Sequence, residues 1–424
     1  MPRCCFANTD VREGGLGSSF PVPQAVSRRP VYPPPTDMRA GRPGTFRECQ
    51  QPTFSHMAAT SKRQEFGVIK GQPMWSTRKE LETVLAQAGL GEWSPRLAAA
   101  ARHAMILEPG PFEEGADAPV GASRLGGRPD LPTDVPWPWR PAIAVAYFKE
   151  HGERPWPLSF IAQIDFAEIH AAGGLEGFPS SGRLLFFCDP ILVPGAKDQT
   201  CASVMFFPGE TKPPGRRDFP IEFRHPRTIL CKPEEFIFRP RRLTPRRWLL
   251  PPPFGSREMR LLDGPLPPRP YWAGHYPRSW QQQTYEAYDR FWDDLGLTCP
   301  RAIRQVGGMA FPDQYAVEAD CVKFCDDDYL NNPPEEEKAF WERREKEGAP
   351  IDWPDYEEWS RGYDAFKVRE RAMYLERSGS WQLVLQIDTD EEIMVDNGRL
   401  YVCIRKRDLA ERRFDRCSTL LQCT

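Results

Sequence analysis

Two segments carry the same chemistry-bearing side chains in the same order. LSFIAQIDF, from Leu158 to Phe166, and SWQLVLQID, from Ser380 to Asp388, each place a glutamine and an aspartate two residues apart. In a strand, Gln163 and Asp165 would share one face roughly 6.6 Å apart, with Leu158, Phe160, Ala162, Ile164 and Phe166 on the other. Gln386 and Asp388 repeat the arrangement. A GRL segment follows each, so Arg183 and Arg399 can reach the aspartate of their own unit across a hairpin. Upstream, GGRPD and GGMAFPDQ supply Asp130 and Asp313. Amides, carboxylates and guanidinium groups converging between two such units would form a cleft for a polar or peptide ligand. The same groups can equally satisfy buried backbone and hold strand register, because a buried polar group needs a partner whatever its function.

Other chemistry is less well spelled out. IDTDEE, with Asp388, Asp390, Glu391 and Glu392, is the best cluster for a hard cation, and Asp388 and Asp390 are its candidate ligands. It lacks the loop spacing of a calcium-binding EF-hand, and DNG at Asp396 to Gly398 fits a hairpin turn. Cys321 and Cys325 are spaced CxxxC, with no second CxxC or HxxxH nearby to complete a zinc set. The six histidines are isolated, and GxSxG, HExxH, phosphate-loop and dinucleotide glycine patterns are absent from the sequence. No cofactor is expected and no catalytic residue can be named. In WPWR, Trp137 to Arg140, the tryptophans suit either an interface anchor or a cap on a core.

The elements that must position these groups follow from patterning. Thr77 and Glu80 form a T-x-x-E capping box before Leu81, Val84 and Leu85, with Gly89 as the stop. Ser94 and Pro95 open a second helix, expected to run through Leu97, Ala98, Ala101 and Met105 until Pro109 ends it. A third helix covers Gln281 to Leu295, with Tyr285, Tyr288, Phe291, Trp292 and Leu295 as its buried stripe. PPEEEKAFWERREKEG reads as an exposed helix. From residue 121 onward the pattern is of Gly- and Pro-punctuated strands. Recurrence of the GG…PD, QID and GRL elements in one order argues for a duplicated unit. The expected fold is α+β and β-rich, with mainly antiparallel sheets in two pseudo-repeated lobes and N-terminal packing helices. The lobes span about 121–230 and 300–424 within a domain at 75–424, and a charged helical insertion occupies about 326–377. Residues 1–56, rich in Pro and Arg, read as a disordered tail.

Composition limits the partners. The 424 residues are 40% hydrophobic and carry a net charge of −3, so there is no general attraction to nucleic acid, which is disfavoured as a partner. No apolar run is long enough for a membrane helix, and the N-terminus lacks a secretory signal, which leaves the cytoplasm as the expected compartment. Charge is nonetheless uneven: residues 212–260 hold 13 Lys and Arg against five Asp and Glu, and residues 326–377 hold nine against 16. These stretches either pair with each other or are solvated separately; paired surfaces could also scaffold an assembly.

The motifs GGRPDLPTDVPWP, PLSFIAQIDFAEI, GRLLFFCD, GGMAFPDQ, SWQLVLQIDTDEEI, DNGRLYVCIRKRDLAERRFDR and the closing LLQC together resemble the bacterial YwqG-like family, known as domain of unknown function 1963. The resemblance spans about residues 75–424 and implies a cytoplasmic bacterial protein with a mixed, β-rich fold. It implies no reaction, cofactor or catalytic residue. The sequence therefore favours a non-catalytic module binding an unknown protein or peptide. The alternative is a carboxylate- or metal-dependent hydrolase using Asp130, Asp165, Asp313, Asp388 or Asp390.

Overall fold

The structure, a computed structural model, describes residues 75–112, 119–142, 155–189, 199–209, 215–220, 237–262, 280–297, 303–326, 372–388 and 398–423, with isolated positions between 329 and 369. In chain order the elements are α1 (Arg78–Leu85), α2 (Ser94–Ala100), β1 (Arg102–Phe112), β2 (Arg124–Leu125), β3 (Asp130–Leu131), β4 (Trp139–Arg140), β5 (Trp156–Pro157) and β6 (Ser159–Asp165). There follow α3 (Phe166–Ala171), β7 (Arg183–Cys188), β8 (Ala202–Phe207), β9 (Gly215–Arg216), β10 (Arg241–Leu250), α4 (Arg257–Leu261), α5 (Gln282–Leu295) and β11 (Arg304–Gly307). The last are α6 (Val317–Cys325), β12 (Trp381–Asp388), β13 (Gly398–Arg405), α7 (Lys406–Ala410) and β14 (Ser418–Cys423).

Ten strands form one antiparallel sheet in the order β14-β13-β12-β11-β1-β10-β2-β6-β7-β8, curled nearly into a barrel. Every strand contributes to one apolar core, including Met105 of β1, Leu243 of β10, Leu125 of β2, Ile164 of β6, Leu184 of β7, Val306 of β11, Ile387 of β12 and Val402 of β13. Phe206 of β8 and Leu421 of β14 pack against the same core at the two ends of the order. A core that draws on all ten strands lies inside the curl. The outer face is covered in three places: by α1, α2 and α5 over β1 and β10, by α6 over β12 and β13, and by the β4 and β5 ribbon over β6 and β7.

The two ends of the sheet meet through a side chain. The Gln199 amide donates to the Thr419 carbonyl at 3.0 Å and its oxygen accepts the Thr419 N–H at 2.8 Å, standing in for a neighbouring strand. Phe206 and Phe414 fill the seam, their ring centroids 4.5 Å apart.

Local chemistry explains the helices. Thr77 Oγ1 accepts from Glu80 N–H, and the Glu80 carboxylate accepts from the N–H groups of Ser76 and Thr77, which closes the expected capping box. Beyond Leu85 the helical path breaks at Gly89, the expected stop, which stands at a non-helical φ of +92°. The third expected helix is α5, which ends on left-handed Gly296 and buries Tyr288, Phe291, Trp292 and Leu295. Described positions from 335 to 346 are helical, with Glu335, Lys338, Glu342, Arg343 and Lys346 exposed.

Two expectations are corrected. The second helix stops at Ala100, where Ala101 is extended, and residues 102–112 form the central strand β1. Both faces of β1 are covered, Ala104 and Ile106 by the outer helices and Met105 and Leu107 by the inner core, so its apolar run shows no alternation that would distinguish strand from helix. Strict alternation in β6 also fails. A bulge between Phe160 and Ala162 sends Phe160 to the outer face and both Ile161 and Ala162 to the inner core. β12 carries the same irregularity between Leu383 and Leu385.

Candidate functional site

The two hairpins share one register. Gln163 lies opposite Leu185 and Asp165 opposite Arg183; Gln386 lies opposite Tyr401 and Asp388 opposite Arg399. The strand beside each hairpin ends in a glycine pair with positive φ, Gly126 and Gly127 (+55° and +72°) and Gly307 and Gly308 (+62° and +74°). A side chain is excluded at both turns: a Cβ on Gly126 would lie 2.5 Å from the Arg239 carbonyl, and one on Gly308 would lie 2.5 Å from Ala104 Cβ. These turns swing the PD loops back over the outer face of β6 and β12.

In the first hairpin the polar set is closed. Asp130 is fully buried; its Oδ1 accepts from Arg124 Nη2 at 2.8 Å, and its Oδ2 accepts from Arg124 Nη1 at 3.1 Å, Gln163 Nε2 at 2.8 Å and Gly121 N–H at 2.6 Å. Gln163 Oε1 accepts the Asp130 N–H, and its amide also donates to the Ala122 carbonyl. Burial opposes the charge on Asp130, but Arg124, Gln163 and Gly121 outweigh it and hold the carboxyl below its ordinary value. Asp165 does not join this set. Its carboxylate caps α3 by accepting from Ala167 N–H at 2.9 Å, and burial, followed by the Glu168 charge, raises its pKa. Arg183 faces it across the hairpin and its charge pulls the pKa of Asp165 down.

The second set is built differently. Gln386 Oε1 accepts the Phe311 N–H, and its amide donates to Asp388 Oδ1 at 2.8 Å. Asp388 Oδ2 accepts from Ile303 N–H at 2.9 Å and forms an ion pair with Arg399 Nε at 3.1 Å. Arg399 Nη1 reaches Asp313 Oδ1 at 3.2 Å and the Phe311 carbonyl at 2.7 Å, where the Tyr401 hydroxyl also donates. Gln422 Oε1 accepts the N–H groups of Asp313 and Gln314. Opposite Gln386 stands neutral Gln305, whereas Arg124 stands opposite Gln163. Two carboxylates therefore share the Arg399 guanidinium. Burial raises both carboxyl pKa values: Asp313 reaches about 6, with Arg399 lowering it and Asp388 raising it, and Asp388 is raised despite Arg399, Ile303 and Gln386. Asp313 and Arg399 keep an open edge, with side chains 8% and 14% exposed.

The structure thus gathers Gln163 with Asp130, and Gln386 with Asp388, Arg399 and Asp313. It does not bring the two sets into one cleft, since β6 and β12 are five strand steps apart in the sheet order. Sequence reasoning missed Arg124, Gln305 and Gln422. For Arg124 and Gln305 the GG turn was the available signal, because it returns the chain over the strand that carries each; Gln422, on β14, had none.

Asp390 and its acidic neighbours, residues 1–56, residues 212–214 and 221–236 of the basic stretch and most of the acidic stretch at 326–377 lie outside the described residues. Among the described residues no group of three or more His, Cys, Asp or Glu side chains is placed to hold a metal ion, Cys321 and Cys325 included. Burial raises the Cys321, Cys188 and Cys417 thiols well above the ordinary thiol range. His103 is lowered by burial and by Arg247 and Arg78. WPWR divides: Trp137 is buried and donates to the Leu158 carbonyl, Trp139 is 46% exposed, and Arg140 forms a buried ion pair with Asp189 at 2.7 Å. No described helix is long and apolar enough to cross a membrane.

No curated protein matches the chain. A family model described as "Domain of unknown function (DUF1963)" matches residues 123–423, which include both glycine turns and both hairpins. The chain belongs to that family.

Proposed function

We propose that the chain is a non-catalytic protein- or peptide-binding module, built from two related lobes, that acts in the cytoplasm and receives a cationic side chain of its partner at the open Asp313 and Arg399 edge. One observation carries this reading: two carboxylates, Asp313 and Asp388, share the Arg399 guanidinium at a point where Arg399 keeps 14% of its side chain exposed and the two carboxylates 8% and 7%. With both carboxylates ionised the pair is one negative charge in excess of Arg399, Asp313 gaining its charge through about pH 6, and an incoming ammonium or guanidinium group would offset the excess. The first hairpin offers no comparable opening, because Asp130 is buried and its carboxylate oxygens are already engaged.

An array of immobilised peptides carrying Lys or Arg among neutral residues tests the reading. Binding is expected to be stronger at pH 7.5 than at pH 5 and to be lost in a folded Asp313→Asn variant. Equal retention of acidic and basic peptides, or unchanged binding by the variant, overturns it. The hydrolytic alternative draws its support from Asp313, whose pKa of about 6 would let it carry a proton near neutrality. Turnover of ester or peptide substrates that disappears in Asp313→Asn would favour that alternative.

A further inference from the structure

Between the helices on the outer face lies a second pair of carboxylates, unrelated to the hairpin sets. Glu258 sits in the first turn of α4 and Glu318 in the first turn of α6, and both are buried. Glu258 Oε1 is well served: Arg102 Nη2 of β1 lies at 2.7 Å and Arg257 Nη1 at 3.6 Å. Its other oxygen, Oε2, is buried with no hydrogen-bond partner among the described residues. A bare carboxylate oxygen out of reach of water is costly, and an O–H donor is the group that would satisfy it. Glu318 acts on the same place, since the nearby Glu258 charge is the largest influence on it after burial itself.

Among the described residues the groups facing this pair are few. Arg102 comes from β1 and Arg257 from α4, and both oppose proton uptake by Glu318; the Cys321 thiol on α6 lies within reach of the Glu318 charge. Arg257 Nε donates to Ser378 Oγ, which donates to the Leu375 carbonyl. The pair therefore sits at the base of the acidic stretch at 326–377, touching α6 just before it and the turn at Ser378 just after it.

We propose that Glu318 holds a proton against the bare Oε2 of Glu258 and that the two form a pH-sensitive latch between α4 and α6. With the proton present, the Glu318 O–H donates to Glu258 Oε2 and the two helix starts are tied. With it gone, two buried anions share Arg102 and Arg257, and the contact between α4 and α6 is the first part of the outer layer to open. The proton leaves as pH rises through neutrality, for Glu318 is raised to about 7 from an ordinary 4.5 by burial and by Glu258. The latch is closed below that point and released above it.

Hydrogen exchange of the full chain, corrected for the intrinsic rate at each pH, reads the latch directly. Protection of amides in Val317–Cys325 and Arg257–Leu261 is expected to fall by at least about tenfold between pH 6 and 8.5, and to stay level in Glu318→Gln, whose amide can donate to Glu258 Oε2 at every pH. The same fall in Glu318→Gln overturns the proposal, as does the absence of a fall in the unsubstituted protein. If the substituted chain does not fold, a carbon-detected NMR titration of glutamate-labelled protein decides: one side-chain carboxyl titrating near 7 supports the latch, and titration of every glutamate below about 5.5 overturns it. Glutamate labelling keeps Asp313 out of the measurement.

Discussion

Replacing Arg124 with methionine tests whether the first hairpin's polar set is an anchor for the chain that crosses it. Methionine keeps most of the buried length of the side chain and removes the guanidinium. Arg124 is 2% exposed and Asp130 fully buried, so solvent cannot take over the lost contacts. Two charge-assisted hydrogen bonds to Asp130 disappear, leaving Gln163 Nε2, Gly121 N–H and the more distant Arg216 at 3.7 Å. Removing one partner of a buried pair typically costs about 3–5 kcal/mol, and the remaining donors place this case near the lower end, about 3 kcal/mol. The penalty also carries a pH signature. In the parent chain the folded pKa of Asp130 is depressed, so its contribution is present above the unfolded value of 3.8 and fades as pH falls. Without Arg124, burial dominates and the folded pKa rises, so the destabilisation is greatest at pH 7.5 and shrinks toward pH 4. Urea unfolding followed by tryptophan fluorescence at pH 7.5 and pH 5 measures both features. Arg124→Met combined with Asp130→Asn is expected to recover most of the loss, because no buried charge is left unpaired. A single-variant penalty below about 1 kcal/mol at pH 7.5, or one that does not change with pH, would refute the anchoring argument.

Gly308→Ala is expected to cost about 2–4 kcal/mol, from left-handed strain plus overlap with Ala104; the added Ala104→Gly should relieve the overlap but not the strain, as thermal unfolding can show. Gln199→Ala should lower stability by about 0.5–1.5 kcal/mol and speed exchange of the Thr419 amide, with exchange at Leu385 in mid-strand unchanged. Asp313 makes the parent chain less stable as pH rises, since the unfolded chain releases this proton near 3.8 and the folded chain near 6. Between those values the folded state binds more protons, so about 1–3 kcal/mol is lost on going from pH 4 to pH 6.5, and chemical denaturation of Asp313→Asn should show a flatter profile.

Where local signals and tertiary packing agreed, the sequence was a good guide. Thr77 and Glu80 mark α1 because capping is a four-residue affair, and Gln282–Leu295 is legible because its aromatic stripe faces one way and its charges the other. β1 was not legible: Met105 and Ile106 face different cores, and covering both faces erases the alternation that identifies a strand. The bulges at Ile161 and Val384 were hidden for the same reason, since an extra apolar residue in an apolar strand changes no pattern. Asp388 and Arg399 were correctly expected to meet, being opposite each other in one hairpin. Asp165 and Arg183 share that register, yet the capping requirement of α3 claims the Asp165 carboxylate. The Arg124 contact depends on a loop returning over its own strand, which spacing alone does not specify. The recurrence of GG…PD, QID and GRL did mark positions of equal register, down to the bulge.

The placement of β1 has a consequence for how the chain is made. One of its edges is covered by β10 and the other by β11, whose first residue is synthesised about 190 residues after β1 ends. At translation rates of about 5–20 residues per second, that edge waits about 10–40 s for its partner. Throughout that interval the nascent sheet stops in the middle of the future barrel, with the hydrogen-bonding groups of Ala104 and Ile106 open to another strand. Slowed synthesis between β10 and β11 should therefore promote aggregation, whereas the same delay after β14 should be harmless.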